Sequence, residues 1–169
     1  TQELDRFESF VYAPVVPENI TELTGICADD LVGAPPLASV LERFRLFLGD
    51  SVFVAHNVKF DYGFIDASLQ KCGFGMLLNR RLCTVELARR TIEAQRYGLG
   101  SLKELLGVQN VHHRAFSDAV SCFEIFKSAL SRLPWSVQST EDLILFSKTA
   151  KSLALPKPQI SGRGEGEIL

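Results

Sequence analysis

Two short segments hold the residues able to do chemistry. His113-Arg114-Ala115-Phe116-Ser117-Asp118-Ala119 places an aspartate in the first turn or two of an expected helix, with a histidine five residues before it. Ala55-His56-Asn57-Val58-Lys59-Phe60-Asp61 places a second aspartate in a similar position. Carboxylates are hard oxygen donors for divalent cations, and imidazole accepts a proton near neutral pH. Separated carboxylates plus one histidine are the raw material of metal-assisted hydrolysis. Yet Asp61 and Asp118 alone are few donors for a site that holds a pair of ions.

On an ideal helix, residues five apart point about 140° apart. His113 is therefore read as a loop residue and Asp118 as an early helical one, converging on a shared point. A plainer alternative makes His112 and His113 solvated loop residues and Asp118 a charge that complements the helix dipole. In the other segment, Asn57 is an expected N-cap, with Asp61 and Phe64 on the same helix face and Phe60 beside it. An amide, a carboxylate and aromatic rings at a strand end suit a nucleotide. The plainer alternative is a cap, a dipole-complementing charge and two core phenylalanines.

The elements that must position these residues follow from periodicity and punctuation. Arg6 to Tyr12 alternates and reads as a strand, ended by Pro14 and Pro17. Ile20 to Ile26 reads as a helical turn closed by Gly25. Leu37, Val40, Leu41, Phe44 and Leu48 form one helical stripe stopped by Gly49. Ser51 to Ala55 reads as a buried strand and residues 58–71 as a helix ending at Gly73. A strand over 81–85 and a helix over 86–95 follow. Ser101 is the expected N-cap of a helix to Leu106, and 115–133 a long amphipathic helix before Pro134. Ser139 and Asp142 form a capping-box pattern opening a helix to about Leu153. Strands alternating with helices imply a mixed α/β sheet with helices on its faces, with His56 and Asn57 at the carboxyl end of a strand.

The domain organisation read from this pattern is a folded domain over 1–134, a helical extension over 135–155 and a disordered tail over 156–169 whose removal leaves folding intact. The 169 residues carry a net charge of −2, which excludes a broad basic surface gripping nucleic acid by charge alone. None of the four cysteines stands in a C-x-x-C pair, so a structural zinc site is not expected and reduced thiols are. No apolar run approaches a membrane span and no signal peptide is visible, so a cytoplasmic location is expected.

A third segment joins the first two. Ile20-Thr21-Glu22-Leu23-Thr24-Gly25-Ile26, then Ala-His-Asn-x-x-Phe-Asp from Ala55, then Leu99-Gly100-Ser101-Leu102, then His-Arg-Ala-x-x-Asp-Ala from His113, occur in this order. The set resembles the DEDDh family of 3′–5′ exonucleases, and within it the proofreading epsilon subunits of bacterial DNA polymerase III. The resemblance spans about Leu4 to Leu133. It implies a ribonuclease-H-like mixed five-stranded sheet flanked by helices, and hydrolysis of 3′-terminal phosphodiesters by two Mg²⁺ or Mn²⁺ ions. By matching motifs, Asp61 and Asp118 would hold metal and His113 would deprotonate the attacking water. Leu23 and Thr24 would pack on the terminal nucleotide, and Asn57 and Phe60 would lie beside its phosphate or base. The implied substrate is a single-stranded DNA 3′ end, with RNA as the alternative. The implied partner is the polymerase alpha subunit.

One departure accompanies the match. The family's Asp-x-Glu strand has no counterpart before Arg6, so the sheet is expected to lack its first two strands and the 169-residue chain to be a poor catalyst by itself. A non-catalytic module of the same fold, binding nucleic acid or a polymerase subunit, is the alternative.

Overall fold

Apolar residues at helical spacing, punctuated by glycine, set most of the elements. The computed structural model describes residues 2–108 and 115–156. Helix α1 (Glu18–Thr24) ends at Gly25, whose φ of 69° is the left-handed cap that glycine adopts without strain. A 3-10 turn (Ala28–Leu31) leads to α2 (Leu37–Leu48), which stops at Gly49. Strand β1 (Phe53–Ala55) feeds α3 (Val58–Lys71), and β2 (Arg81–Cys83) runs straight into α4 (Thr84–Thr91). Helices α5 (Leu99–Leu106), α6 (Ala115–Leu130) and α7 (Thr140–Thr149) follow among the described residues.

The fold is mixed α/β, the ribonuclease-H-like class that the sequence implies, with seven α-helices and a small parallel sheet among the described residues. That sheet is two-stranded: Phe53 pairs with Arg81, Val54 with Leu82 and Ala55 with Cys83. Parallel strands need a crossover, and α3 supplies it by packing back on both strands. Because the strands are parallel and in register, their carboxyl ends meet at Ala55 and Cys83. Whatever follows those two residues is brought together at one edge.

Three apolar clusters hold this frame. Leu41, Val58, Tyr62, Leu69 and Leu77 pack α2 and α3 beneath β1. Ala88, Ile92, Tyr97, Leu102 and Ile125 join α4, α5 and α6. Leu82, Leu87 and Ala129 take Leu143, Ile144 and Phe146 of α7 against β2, α4 and α6. Complete burial of a leucine or isoleucine contributes about 1.5–3 kcal/mol, and Leu69, Leu87, Leu102 and Ile125 are all fully buried.

Several local expectations are corrected. Arg6 to Tyr12 forms no strand. Its backbone link to another described segment is Tyr12 N–H donating to Pro35 O at 2.9 Å. The Phe7 ring instead sits 5.8 Å from Phe44 and 5.6 Å from Phe47, and the Arg6 guanidinium lies 4.1 Å above the Phe116 ring. Alternation reports burial on one side, whereas a strand also needs a neighbour to accept its ladder. The β2 strand stops at Cys83 and Val85 is already helical. Gly98 occupies the N-cap of α5 and Ser101 lies inside the helix. Helices α6 and α7 end at Leu130 and Thr149, short of the expected Leu133 and Leu153. The Ser139–Asp142 capping box forms as expected, Asp142 N–H donating to Ser139 Oγ at 3.1 Å and Ser139 N–H to Asp142 Oδ2 at 3.0 Å. The expected disordered tail past Pro156 lies outside the described residues apart from Pro156 itself.

Candidate active site

The meeting point of the strand ends opens into a cleft of about 670 Å³. One wall is β1 with the His56-Asn57 link and the first turn of α3, which contributes Phe60 and Asp61. The facing wall is α6, which contributes Ala115, Asp118, Ala119, Cys122, Phe123 and Phe126. These positions recur at three- and four-residue steps, so a single stripe of α6 faces the cleft. Leu99 of α5 closes one side.

The turn into α3 is tight. Only His56 and Asn57 separate the strand end Ala55 from the helix start Val58. Asn57 makes the reversal with φ 68° and ψ 54°, the one non-glycine residue with positive φ among the described residues. Asparagine tolerates this conformation better than most residues, at a cost of order 1–3 kcal/mol, and such strain concentrates at functional sites. Asn57 thus occupies the N-cap position, but its side chain makes no cap hydrogen bond. The expected side-chain cap is therefore absent, and among the described residues the amide is spent on no neighbouring helix.

His56 braces the strand ends. Its Nε2 lies 2.8 Å from Tyr97 O and its Nδ1 lies 2.9 Å from Thr84 Oγ1. A carbonyl can only accept, so Nε2 carries the proton and Nδ1 accepts from the Thr84 hydroxyl. Thr84 Oγ1 is also 3.6 Å from Cys122 Sγ, completing a polar chain from α6 through α4 to the β1 link. Burial holds the His56 pKa below its ordinary value, while its bond to the Tyr97 carbonyl and the nearby Asp61 charge pull the other way. The ring is neutral at pH 7 and is occupied at both nitrogens. It orients the site and is poorly placed to take a proton from water.

Asp61 and Asp118 face the same cleft from different helices. Each sits in the first turn of its helix, where the positive end of the helix favours a negative charge. Neither makes a salt bridge among the described residues. Asp61 is exposed as a residue, yet the protein packed around its carboxyl raises its pKa, opposed by a hydrogen bond from its own backbone and the pull of His56. Cys122, deeper in the cleft, has its thiol pushed up to about 11, chiefly by burial. A thiol of that pKa is protonated at neutral pH and is a poor nucleophile and metal ligand.

The donor set among the described residues is thus two hard carboxylates that pair with no cation there. That fits a Mg²⁺ or Mn²⁺ ion, which commonly takes one or two carboxylates and fills its remaining positions with water and substrate phosphate. Among the described residues, no third histidine, cysteine or acidic side chain joins them to make a larger ligand group.

Of the residues expected to act, the structure brings Asn57, Phe60, Asp61 and Asp118 together in one cleft. Leu23 and Thr24 lie on α1, outside its lining. Thr24 donates its hydroxyl to Ile20 O at 2.7 Å, and Leu23 is exposed. His113 falls within residues 109–114, outside the described residues. Sequence reasoning missed Thr84 and Cys122. Cys122 was findable, since it stands one helical turn past Asp118, whereas Thr84 carries no local signal at all.

A sequence model of the exonuclease family (RNase_T) matches residues 2–126. DNA polymerase III PolC-type proteins of Staphylococcus aureus, including those of strains MW2 and USA300, are 40% identical over 126 residues, which is 73% of this chain. The chain spans only 9% of the length of each of these relatives. The family match covers the whole frame from the extended N-terminal segment through the carboxylate face of α6, and on that ground the chain belongs to the exonuclease family.

Proposed function

We propose that this domain hydrolyses the 3′-terminal phosphodiester of single-stranded DNA with divalent cations, in replication proofreading or repair. The observation that carries the reading is the convergence of Asp61 and Asp118 on one cleft at the carboxyl ends of parallel strands. The exonuclease family generally uses divalent metal ions. Asp61 and Asp118 would hold them, as a pair of Mg²⁺ or Mn²⁺ ions where further carboxylates complete the set. When bound, such ions acidify a water and stabilise the leaving oxygen.

The chain's own residues do the rest. His113 takes the proton of the attacking water. Phe60 offers an aromatic face to a base, and Asn57, whose amide makes no cap hydrogen bond to α3, reaches the phosphate or sugar. Leu23 and Thr24 pack on the terminal nucleotide from α1. His56 keeps the β1 link and α4 in register, so Asp61 is held at a fixed position. With two carboxylates rather than four, the 169-residue chain alone binds metal weakly and turns over slowly. Residues 1–134 form the catalytic domain, 135–155 an extension and 156–169 a tail. The setting is cytoplasmic, with the polymerase alpha subunit as the partner that presents the DNA end. Among the described residues, no helix is long and apolar enough to cross a membrane.

The test is directional. A DNA strand labelled at its 5′ end should yield a ladder shortened one nucleotide at a time in Mn²⁺. Immediate release of a labelled mononucleotide would mean the opposite polarity and refute the proposal. RNA of the same sequence, run alongside, decides the substrate.

A further inference from the structure

Helix α3 has two apolar stripes and uses only one of them. Val58, Tyr62, Ile65 and Leu69 face the core beneath β1. At about 100° per residue, Phe60, Phe64, Ala67 and Lys71 fall within about 60° of one another on the opposite side. Phe60 is 73% and Phe64 65% exposed, and neither ring stacks on another ring or a cation among the described residues. Gly63 flanks the pair, and a side chain built there would meet nothing within 4 Å. Small residues at Gly63 and Ala67 leave the two rings standing clear of the helix. Exposed rings in a row on a helix whose core stripe is already satisfied mark a binding surface.

Three observations select the occupant. The stripe is continuous with the carboxylate cleft, because Phe60 belongs to both. Lys71 closes its far end and makes no ion pair among the described residues. The acidic residue nearest along the helix, Asp66, is turned away and accepts from Leu77 N–H at 2.7 Å and Gln70 Nε2 at 2.9 Å. Rings that present π-faces followed by a free cation suit successive bases and a phosphate of an unpaired strand. We propose that the outer face of α3 is a track for single-stranded nucleic acid leading into the cleft. Bases stack on Phe60 and Phe64, and a backbone phosphate lies at Lys71. The proposal rests on the nucleic-acid reading above and assigns Phe64 and Lys71 a role beyond it.

The experiment is fluorescence anisotropy with oligothymidylates of increasing length in EDTA, on the 169-residue chain and its Phe64→Ala, Phe64→Leu and Lys71→Gln variants. Wild-type affinity should rise from the dinucleotide to the hexanucleotide. Both Phe64 variants should lose about 5- to 150-fold on the hexanucleotide, as expected for one stacked base, and nothing on the dinucleotide. Lys71→Gln should flatten the salt dependence by a slope of about 0.7. An unchanged hexanucleotide affinity would overturn the track while leaving the nuclease reading intact. So would a loss restored by leucine, which would mark an apolar protein interface instead. If no oligonucleotide binds at any length, the nucleic-acid reading fails and the track falls with it.

Discussion

Replacing Thr84 with valine should destabilise the protein far more than its single lost oxygen suggests. Thr84 is completely buried at the first position of α4. Its hydroxyl is the donor for His56 Nδ1 at 2.9 Å and lies 3.6 Å from Cys122 Sγ. Valine keeps the branched shape, but leaves the imidazole nitrogen without a partner in a half-buried position. An orphaned acceptor of this kind costs about 1–3 kcal/mol, and each kcal/mol lowers Tm by about 2–4 °C in a domain of this size. A fall of about 2–12 °C is therefore expected in thermal melts followed by circular dichroism. The same bracket has a pH signature. Burial lowers the folded-state pKa of His56 below its unfolded value of about 6.5. The unfolded chain then binds more protons just below that pH, so stability is full above about pH 6.5 and falls as pH drops toward the folded pKa. His56→Gln keeps an N–H for the Tyr97 carbonyl and cannot titrate. The stability difference between wild type and His56→Gln should shrink as pH falls from about 7 to about 5. An unchanged Tm in Thr84→Val, together with a pH-independent difference, would refute the bracket.

Two further outcomes test the packing and the thiols. Ile125 is fully buried among α4, α5 and α6, so Ile125→Ala should cost about 2–5 kcal/mol in denaturant melts; a cost under about 1 kcal/mol would mean the cluster is not the core it is taken to be. With a thiol reagent near neutral pH, exposed Cys27 should label promptly while Cys122, its pKa about 11, labels only on unfolding; prompt modification at Cys122 in the native protein would contradict the buried chain from α6 to His56.

Much of this architecture was legible because its signals are local. The stripe from Leu37 to Leu48 and the stop at Gly49 specify α2 without reference to anything distant. The Ser139–Asp142 pair announces the start of α7 for the same reason. Asp61 and Asp118 were legible as early helical residues, and each does stand in the first turn of its helix. Residues 6–12 were misread because alternation cannot reveal whether a partner strand lies alongside. Asn57 was placed correctly at a helix start, but its left-handed turn is set by the need to reverse the chain within two residues of β1. The Thr84–His56 bond joins residues brought together only by the parallel register, and no spacing rule anticipates it. The exposure of Phe64 goes against the plainer alternative that made it a core residue, since the opposite stripe of α3 already supplies the core contacts.

The most direct test of the account is release of mononucleotides from a 3′-labelled single-stranded DNA in Mn²⁺, comparing the chain with Asp118→Asn. Slow release is predicted from the unmodified chain, faster release when an upstream Asp-x-Glu segment is present, and a loss on the order of a hundredfold in the Asn variant. Equal release by both proteins, or none even from the upstream-extended chain, would contradict it.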